Sequence, residues 1–179
     1  MPARRRSSMQ RPAEIDADVK TQQNSVIAGQ KVWIPDMEKC WILTTVAGSF
    51  SYGKATVATI EGEEMEVDIS SLLDYDTTHE LMLSDISEMN DLHEGPLLAL
   101  LERRFRSERT HTWCPDVLIA LNPFCKLKVS PEVESINPPS IEEVTRATVK
   151  RLKEQLKQQS ILVSGESGAG KTFAARAVV

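Results

Sequence analysis

A glycine-rich stretch late in the sequence carries residue types that bind phosphate. Gly165, Gly170, Lys171 and Thr172 stand at the spacing G-x-x-x-x-G-K-[ST]. Glycines let successive backbone N–H groups point into one concave surface, which binds an anion at the start of the following helix. The lysine supplies a positive charge to the β- and γ-phosphates, and the threonine hydroxyl supplies one ligand to Mg²⁺. The spacing therefore predicts a site for a nucleoside triphosphate with Mg²⁺.

The neighbours of this loop favour a phosphate site over the alternative, an ordinary glycine-rich turn. The apolar run 160–163 predicts a strand that leads into the loop, and the alanine-rich run 173–179 predicts a helix after it. Strand, loop and helix in this order are what such a site requires. The residues expected to line it are Gly165, Glu166, Ser167, Gly168, Ala169, Gly170, Lys171 and Thr172, with Thr172 as the metal ligand.

Two more elements are expected before the loop. The run 112–121 is apolar and predicts one buried strand that ends at Asn122, with Pro115 keeping its start away from the middle of a sheet. Ser140 followed by Glu143 forms a capping box and predicts a helix start. The buried stripe expected on that helix is Ile141, Val144, Thr148, Leu152 and Leu156.

The first half of the chain is expected to form a small antiparallel β-barrel. Four short β-type runs lie between residues 32 and 69, separated by turns that contain glycine or proline. The last run alternates apolar Met65 and Val67 with Glu64 and Glu66, which indicates a half-buried strand. An amphipathic helix then follows the sequence Glu-Gly-Pro, with an apolar stripe of Leu97, Leu98, Leu101 and Phe105.

Composition excludes several classes of protein. A net charge of −5 argues against a general binder of nucleic acids or anionic membranes, which needs a clustered positive excess. The 3 cysteines stand far apart, so neither a zinc site nor a disulfide framework is indicated, and a reducing cytosol fits best. No apolar run is long enough to span a membrane. The histidines are expected at the surface, and the tryptophans in the core.

Residues 1–28 are polar and lack an apolar period, so they are expected to form a disordered basic tail. The arginines and serines of its first 11 residues also leave open a phosphorylatable docking arm or the start of a transit peptide.

The sequence GESGAGKT at 165–172 resembles the P-loop of myosins, which is a narrower pattern than the general spacing. Other segments also resemble myosin segments and follow one another in the same order. Asn122, Pro123 and Phe124 resemble the start of the myosin purine-binding loop, and residues 138–141 the opening of the helix before the P-loop. The stretch LHEGPLLALLERRF resembles an early motor helix, and VWIP the small barrel that precedes many myosin motors. The similarity covers about residues 30–179.

This resemblance implies an α/β P-loop NTPase fragment of a myosin motor, preceded by the small antiparallel β-barrel. The implied domains are the tail 1–28, the barrel 29–78 and the amino-terminal part of the motor 79–179, truncated after the P-loop. Asn122, Pro123 and Phe124 are expected to join the P-loop residues in binding ATP. Actin filaments, light chains and a cytoplasmic, cytoskeletal location are implied for the parent motor.

In myosins, the groups that position the attacking water lie in two switch segments after the P-loop, and the sequence stops at Val179 before either. No catalytic residue can therefore be named, and a fragment is expected.

Several positions depart from the myosin pattern and leave an alternative open. Ser130 stands where an aromatic residue usually packs near adenine, and Phe173 where an acidic residue is usual. Pro115 replaces an expected glycine, and residues 149–150 are Val-Lys instead of Tyr-Arg. These differences favour weaker adenine binding and keep a non-motile nucleotide-binding protein as the competing hypothesis. A P-loop ATPase or GTPase of another family is the third.

Overall fold

The computed structural model of the chain describes residues 26–126 and 138–178. The disordered tail predicted at 1–28 lies almost wholly outside these ranges, as does the departure at Ser130. Within the described ranges the chain forms seven strands and three α-helices, joined by turns and short 3-10 helices.

The first five strands form one antiparallel sheet. They are β1 (Lys31–Asp36), β2 (Cys40–Ser51), β3 (Lys54–Ala58), β4 (Glu64–Asp68) and β5 (Leu73–Asp74). Their order in the sheet is β4-β3-β2-β1-β5. No ladder joins β4 to β5 within the described residues, so the expected barrel is an open half-barrel there. The four predicted strands are confirmed, while the two-residue β5 carried no strand signal.

The sheet buries an aliphatic core on one face. Val32, Ile34, Val46 and Val57 are at most 2% exposed, and Met65 and Val67 of β4 pack against them. Glu64 and Glu66, which alternate with these residues, point to solvent. The alternation predicted for this strand is therefore confirmed, with apolar side chains on the core face and carboxylates outside.

A hydrogen bond between two aromatic rings, those of Trp33 and His79, joins the sheet to the segment that follows it. Trp33 of β1 is buried, as expected, and its indole Nε1–H donates to His79 Nδ1 at 3.1 Å. The Asp76 backbone N–H donates to the same nitrogen, so the neutral ring carries its proton on Nε2 and donates to the Asn90 carbonyl at 2.8 Å. His79 is 0% exposed, and the surface position expected for it is wrong because these three partners satisfy the ring inside the core.

Helix α1 spans Glu94–Arg106 and is capped by the preceding residue, His93, whose Nδ1 accepts the Gly95 backbone N–H. Its inner face is formed by Leu100 and Arg104, both 0% exposed, with Leu97 alongside. Two members of the predicted stripe, Leu98 and Phe105, are 44% and 40% exposed.

The buried face is shifted because each of the three guanidinium nitrogens of Arg104 donates a hydrogen bond inside, to the hydroxyl of Thr112 or to the carbonyls of Leu83 and His111. A pattern built on apolar residues alone cannot anticipate a buried arginine.

The apolar run 112–121 forms a hairpin, and the prediction of one strand is wrong. Strand β6 (His111–Cys114) pairs antiparallel with β7 (Val117–Ala120), and Cys114 lies opposite Val117. Pro115 and Asp116 form the turn between them. Proline has no N–H for a ladder and a fixed φ that suits a turn, so the chain reverses there.

The last third of the described chain contains α2 (Ile141–Gln155) and α3 (Lys171–Val178), which contact each other. Ser140 Oγ accepts the Glu143 backbone N–H at 3.1 Å, as the predicted cap requires, while the Glu143 carboxylate pairs with Arg146. The helix predicted at 173–179 is confirmed as α3.

Two expectations for this part of the chain are wrong. Helix α2 has no buried residue, and its expected stripe members Leu152 and Leu156 are 45% and 88% exposed. Residues 160–163 are not a strand, because a strand forms only against a partner strand and none is supplied by residues 26–126 or 138–178.

Candidate nucleotide site

The loop between residue 164 and α3 turns by means of its glycines. Gly165, Gly168 and Gly170 have φ values of 150°, 83° and 93°, in the region that side chains with a Cβ rarely adopt. The Ala169 backbone N–H donates to the Glu166 carbonyl at 3.2 Å and closes the loop on itself. Positive-φ glycines in a turn let successive backbone N–H groups point into one concavity that can bind an anion.

Lys171 lies across this loop. Its ammonium donates to the carbonyls of Gly165 and Glu166, both at 2.8 Å, and so bridges the first turn of the loop. Lys171 is also the first residue of α3, whose positive dipole end adds to the charge of the ammonium. The arrangement concentrates positive potential at the mouth of the loop, where an anion is favoured.

Thr172 occupies the next position in the first turn of α3 and is exposed to solvent. A hydroxyl in that position is accessible to a hydrated cation, as its predicted role as a Mg²⁺ ligand requires. Across residues 26–126 and 138–178, no group of three or more His, Cys, Asp or Glu side chains is placed to hold a metal ion. A Mg²⁺ ion that takes most of its ligands from phosphates and water needs no such group.

Asn122 joins the loop from a segment 46 residues earlier. Its side-chain Nδ2 donates to the Gly168 carbonyl at 2.7 Å, and its Oδ1 accepts the Phe124 backbone N–H at 3.0 Å. A Cβ built on Gly170 would lie 3.9 Å from the Asn122 Cβ, so a side chain there would be in ordinary van der Waals contact with Asn122. The sequence marked both segments, but no spacing rule indicated that they are hydrogen-bonded to each other.

The remaining predicted residues lie nearby without closing over the loop. Phe124 has a left-handed φ of 53° and is 83% exposed, while Pro123 is half-buried. Phe173, which departs from the myosin pattern, points to solvent from α3 at 75% exposure. The loop is thus open on its outer side. The protein groups that could bind a nucleotide come from one continuous segment plus Asn122.

Comparison with known proteins identifies the family. The model of the myosin head (motor domain) matches residues 83–179, which is more than half of the chain. The chain belongs to the myosin head family. It is 33% identical to Myosin-15 of Arabidopsis thaliana over 156 residues, covering 80% of this chain and 10% of that protein.

Two other relatives agree. Unconventional myosin-Vb of Homo sapiens is 31% identical over 163 residues, 82% of this chain and 9% of that protein. Myosin-M heavy chain of Dictyostelium discoideum is 28% identical over 165 residues, 86% of this chain and 10% of that protein. This myosin chain therefore spans about a tenth of the length of the curated relatives it matches. Among its described helices, none is long and apolar enough to cross a membrane.

Proposed function

We propose that these residues form the ATP-binding part of an actin-based myosin motor with a P-loop NTPase fold. In this proposal residues 29–78 are a small amino-terminal domain and residues 79–179 the beginning of the motor domain. The observation that carries the proposal is the loop 165–172, with its left-handed glycines, a lysine lying across it and a helix starting at its end.

Both backbone groups and side chains bind ATP in this proposal. The glycines leave room for phosphate oxygens beside the loop N–H groups. The Lys171 ammonium, held by two neutral carbonyls, gains an oppositely charged partner when it turns to an anionic phosphate oxygen, and coulombic attraction then adds to the hydrogen bond. Thr172 offers its hydroxyl to Mg²⁺. Bound ATP supplies the phosphoanhydride bond whose hydrolysis drives a motor.

ATP hydrolysis coupled to actin filaments, binding of light chains and a cytoskeletal location in the cytoplasm are proposed for the whole motor to which these residues belong. They rest on membership of the myosin head family. The described residues contain no group that we assign to activation of the attacking water, so no catalytic residue is proposed.

Titration of the chain with Mg²⁺ and a fluorescent ATP analogue tests the proposal. Substitution Lys171→Ala is expected to weaken binding at least about tenfold, because hydrogen bonds to charged groups contribute about 1.5–3 kcal/mol. Lys153→Ala removes an equally charged lysine from the last turn of α2 and serves as the matched control, with unchanged affinity expected. Equal affinities for the wild type and Lys171→Ala would contradict a phosphate role for the loop.

A non-motile nucleotide-binding myosin relative is the second candidate, and Phe173 is the observation that favours it. Its exposed ring stands beside Thr172, where an acidic side chain is usual in myosins. Actin-activated ATPase of the complete heavy chain separates the two candidates. Stimulation by filaments supports the motor, while ATP binding without any stimulation supports the non-motile protein.

A further inference from the structure

The side chain of Asn122 has both of its polar ends engaged. Nδ2 donates to the Gly168 carbonyl at 2.7 Å, and Oδ1 accepts the Phe124 N–H at 3.0 Å. The opposite amide orientation would place oxygen against oxygen and N–H against N–H, so the partners themselves assign it. An asparagine bonded in this way acts on the backbone of two loops at once.

The carbonyl that Asn122 holds belongs to a peptide group with a second restraint. The Gly168 oxygen and the Ala169 nitrogen are part of the same planar unit, and the Ala169 N–H donates to the Glu166 carbonyl at 3.2 Å. Rotation of that peptide would break both hydrogen bonds together. Gly168 has no Cβ and a φ of 83°, so its own backbone offers little resistance to such a rotation.

The geometry points to Asn122 as a positioning residue for the phosphate loop. It fixes the Gly168–Ala169 peptide from outside the loop and thereby stabilises the backbone conformation on which the direction of the other loop N–H groups depends. This inference rests on the proposed function of the loop. It differs from a base-contacting role for Asn122, because its effect on affinity is then independent of whether the ligand carries a base.

Pyrophosphate and ATP, each with Mg²⁺, are the two ligands that separate these roles in the full chain. Asn122→Asp keeps the acceptor for Phe124 but turns a carboxylate oxygen toward the Gly168 carbonyl. We expect it to weaken pyrophosphate and ATP binding by the same factor, about tenfold, since the loop loses a hydrogen bond and gains a repulsion. Asn122→Ala removes both bonds and is expected to match it.

Gln159→Glu is the matched control. The Gln159 Nε2 also donates to a backbone carbonyl, that of Lys157 at 3.2 Å, but in a turn that precedes the loop. Both affinities are expected to be unchanged in this variant. Loss of ATP affinity with intact pyrophosphate affinity in Asn122→Asp would make Asn122 a base contact and overturn the inference, as would no change in either affinity.

Amide hydrogen exchange at Ala169 provides a readout that needs no ligand. The Ala169 N–H is expected to exchange several-fold faster in Asn122→Asp than in the wild type and Gln159→Glu, with the protection of sheet residues unchanged. Unchanged exchange at Ala169 would refute the restraint itself. If the wild type binds neither ligand while Asn122→Asp still speeds exchange, the proposed function fails, and only the restraint of Asn122 on the Gly168–Ala169 peptide stands.

Discussion

The half-barrel and the phosphate loop, in the two halves of the chain, are stabilised in different ways. The sheet has its own core, in which Val32, Ile34, Val46 and Val57 are at most 2% exposed. Helices α2 and α3, which flank the loop, contain no buried residue among those described. The loop nevertheless has a defined backbone, since left-handed glycines and a few hydrogen bonds determine it. The loop can thus have a defined backbone without a core of its own, whereas a sheet depends on what covers its face.

The largest effect on stability is expected from truncating a buried aliphatic side chain of the sheet to alanine. The same kind of truncation beside the loop should have little effect. Ile34→Ala removes a side chain that is 0% exposed and is expected to lower the free energy of unfolding by about 2–5 kcal/mol. Leu162→Ala, before the loop, removes one that is 91% exposed and should change it by less than about 0.5 kcal/mol. Urea unfolding followed by tryptophan fluorescence measures both. Similar losses in the two variants would show that the comparison is wrong.

A smaller, pH-dependent effect on folding stability is expected from His93, where the sheet meets α1. Burial lowers the pKa of His93, whose Nε2 contacts the Asp74 carbonyl while Nδ1 accepts the Gly95 N–H. The unfolded chain therefore binds a proton more readily than the folded one. Stability from this group is fully present above a pH of about 6.5 and is lost as the pH falls toward the lowered folded pKa.

His93→Asn tests this effect because asparagine is also a good helix cap but does not titrate. The melting temperature of the wild type should fall between pH 7 and pH 5 more steeply than that of His93→Asn. Parallel slopes would mean that His93 does not carry the dependence, which would leave it to other groups.

The smallest effect is expected at the surface of the half-barrel. Lys31 Nζ lies 2.6 Å from Glu80 Oε1 with both side chains about half exposed, and 5.0 Å from the centre of the Tyr75 ring. Glu80→Gln should lower the melting temperature slightly in dilute buffer, because exposed ion pairs contribute little. At about 1 M salt, where the screening length is about 3 Å, the difference should vanish. A large or salt-independent loss would place this pair among the structural contacts of the core.

Sequence patterns located the elements more reliably than the surfaces that they bury. Four of the five strands of the half-barrel and all three helices followed from alternation, helical spacing, helix propensity and caps. The apolar run around Pro115 predicts one strand where the structure has a hairpin, because such a run does not reveal where a chain folds back on itself. His79 and Arg104 were not expected in the interior, because hydrogen-bond partners distant in sequence, such as Trp33 and Thr112, determine whether a polar side chain can be buried.

The sequence by itself indicated the family and the residues of the proposed phosphate loop, because glycines, a lysine and a helix start within eight positions are a pattern of neighbouring residues. The tertiary structure decided which groups those residues meet. It brought the Asn122 side chain to the Gly168 carbonyl across 46 positions. Contacts between distant segments depend on the path of the whole chain, and no local pattern of residue types records that path.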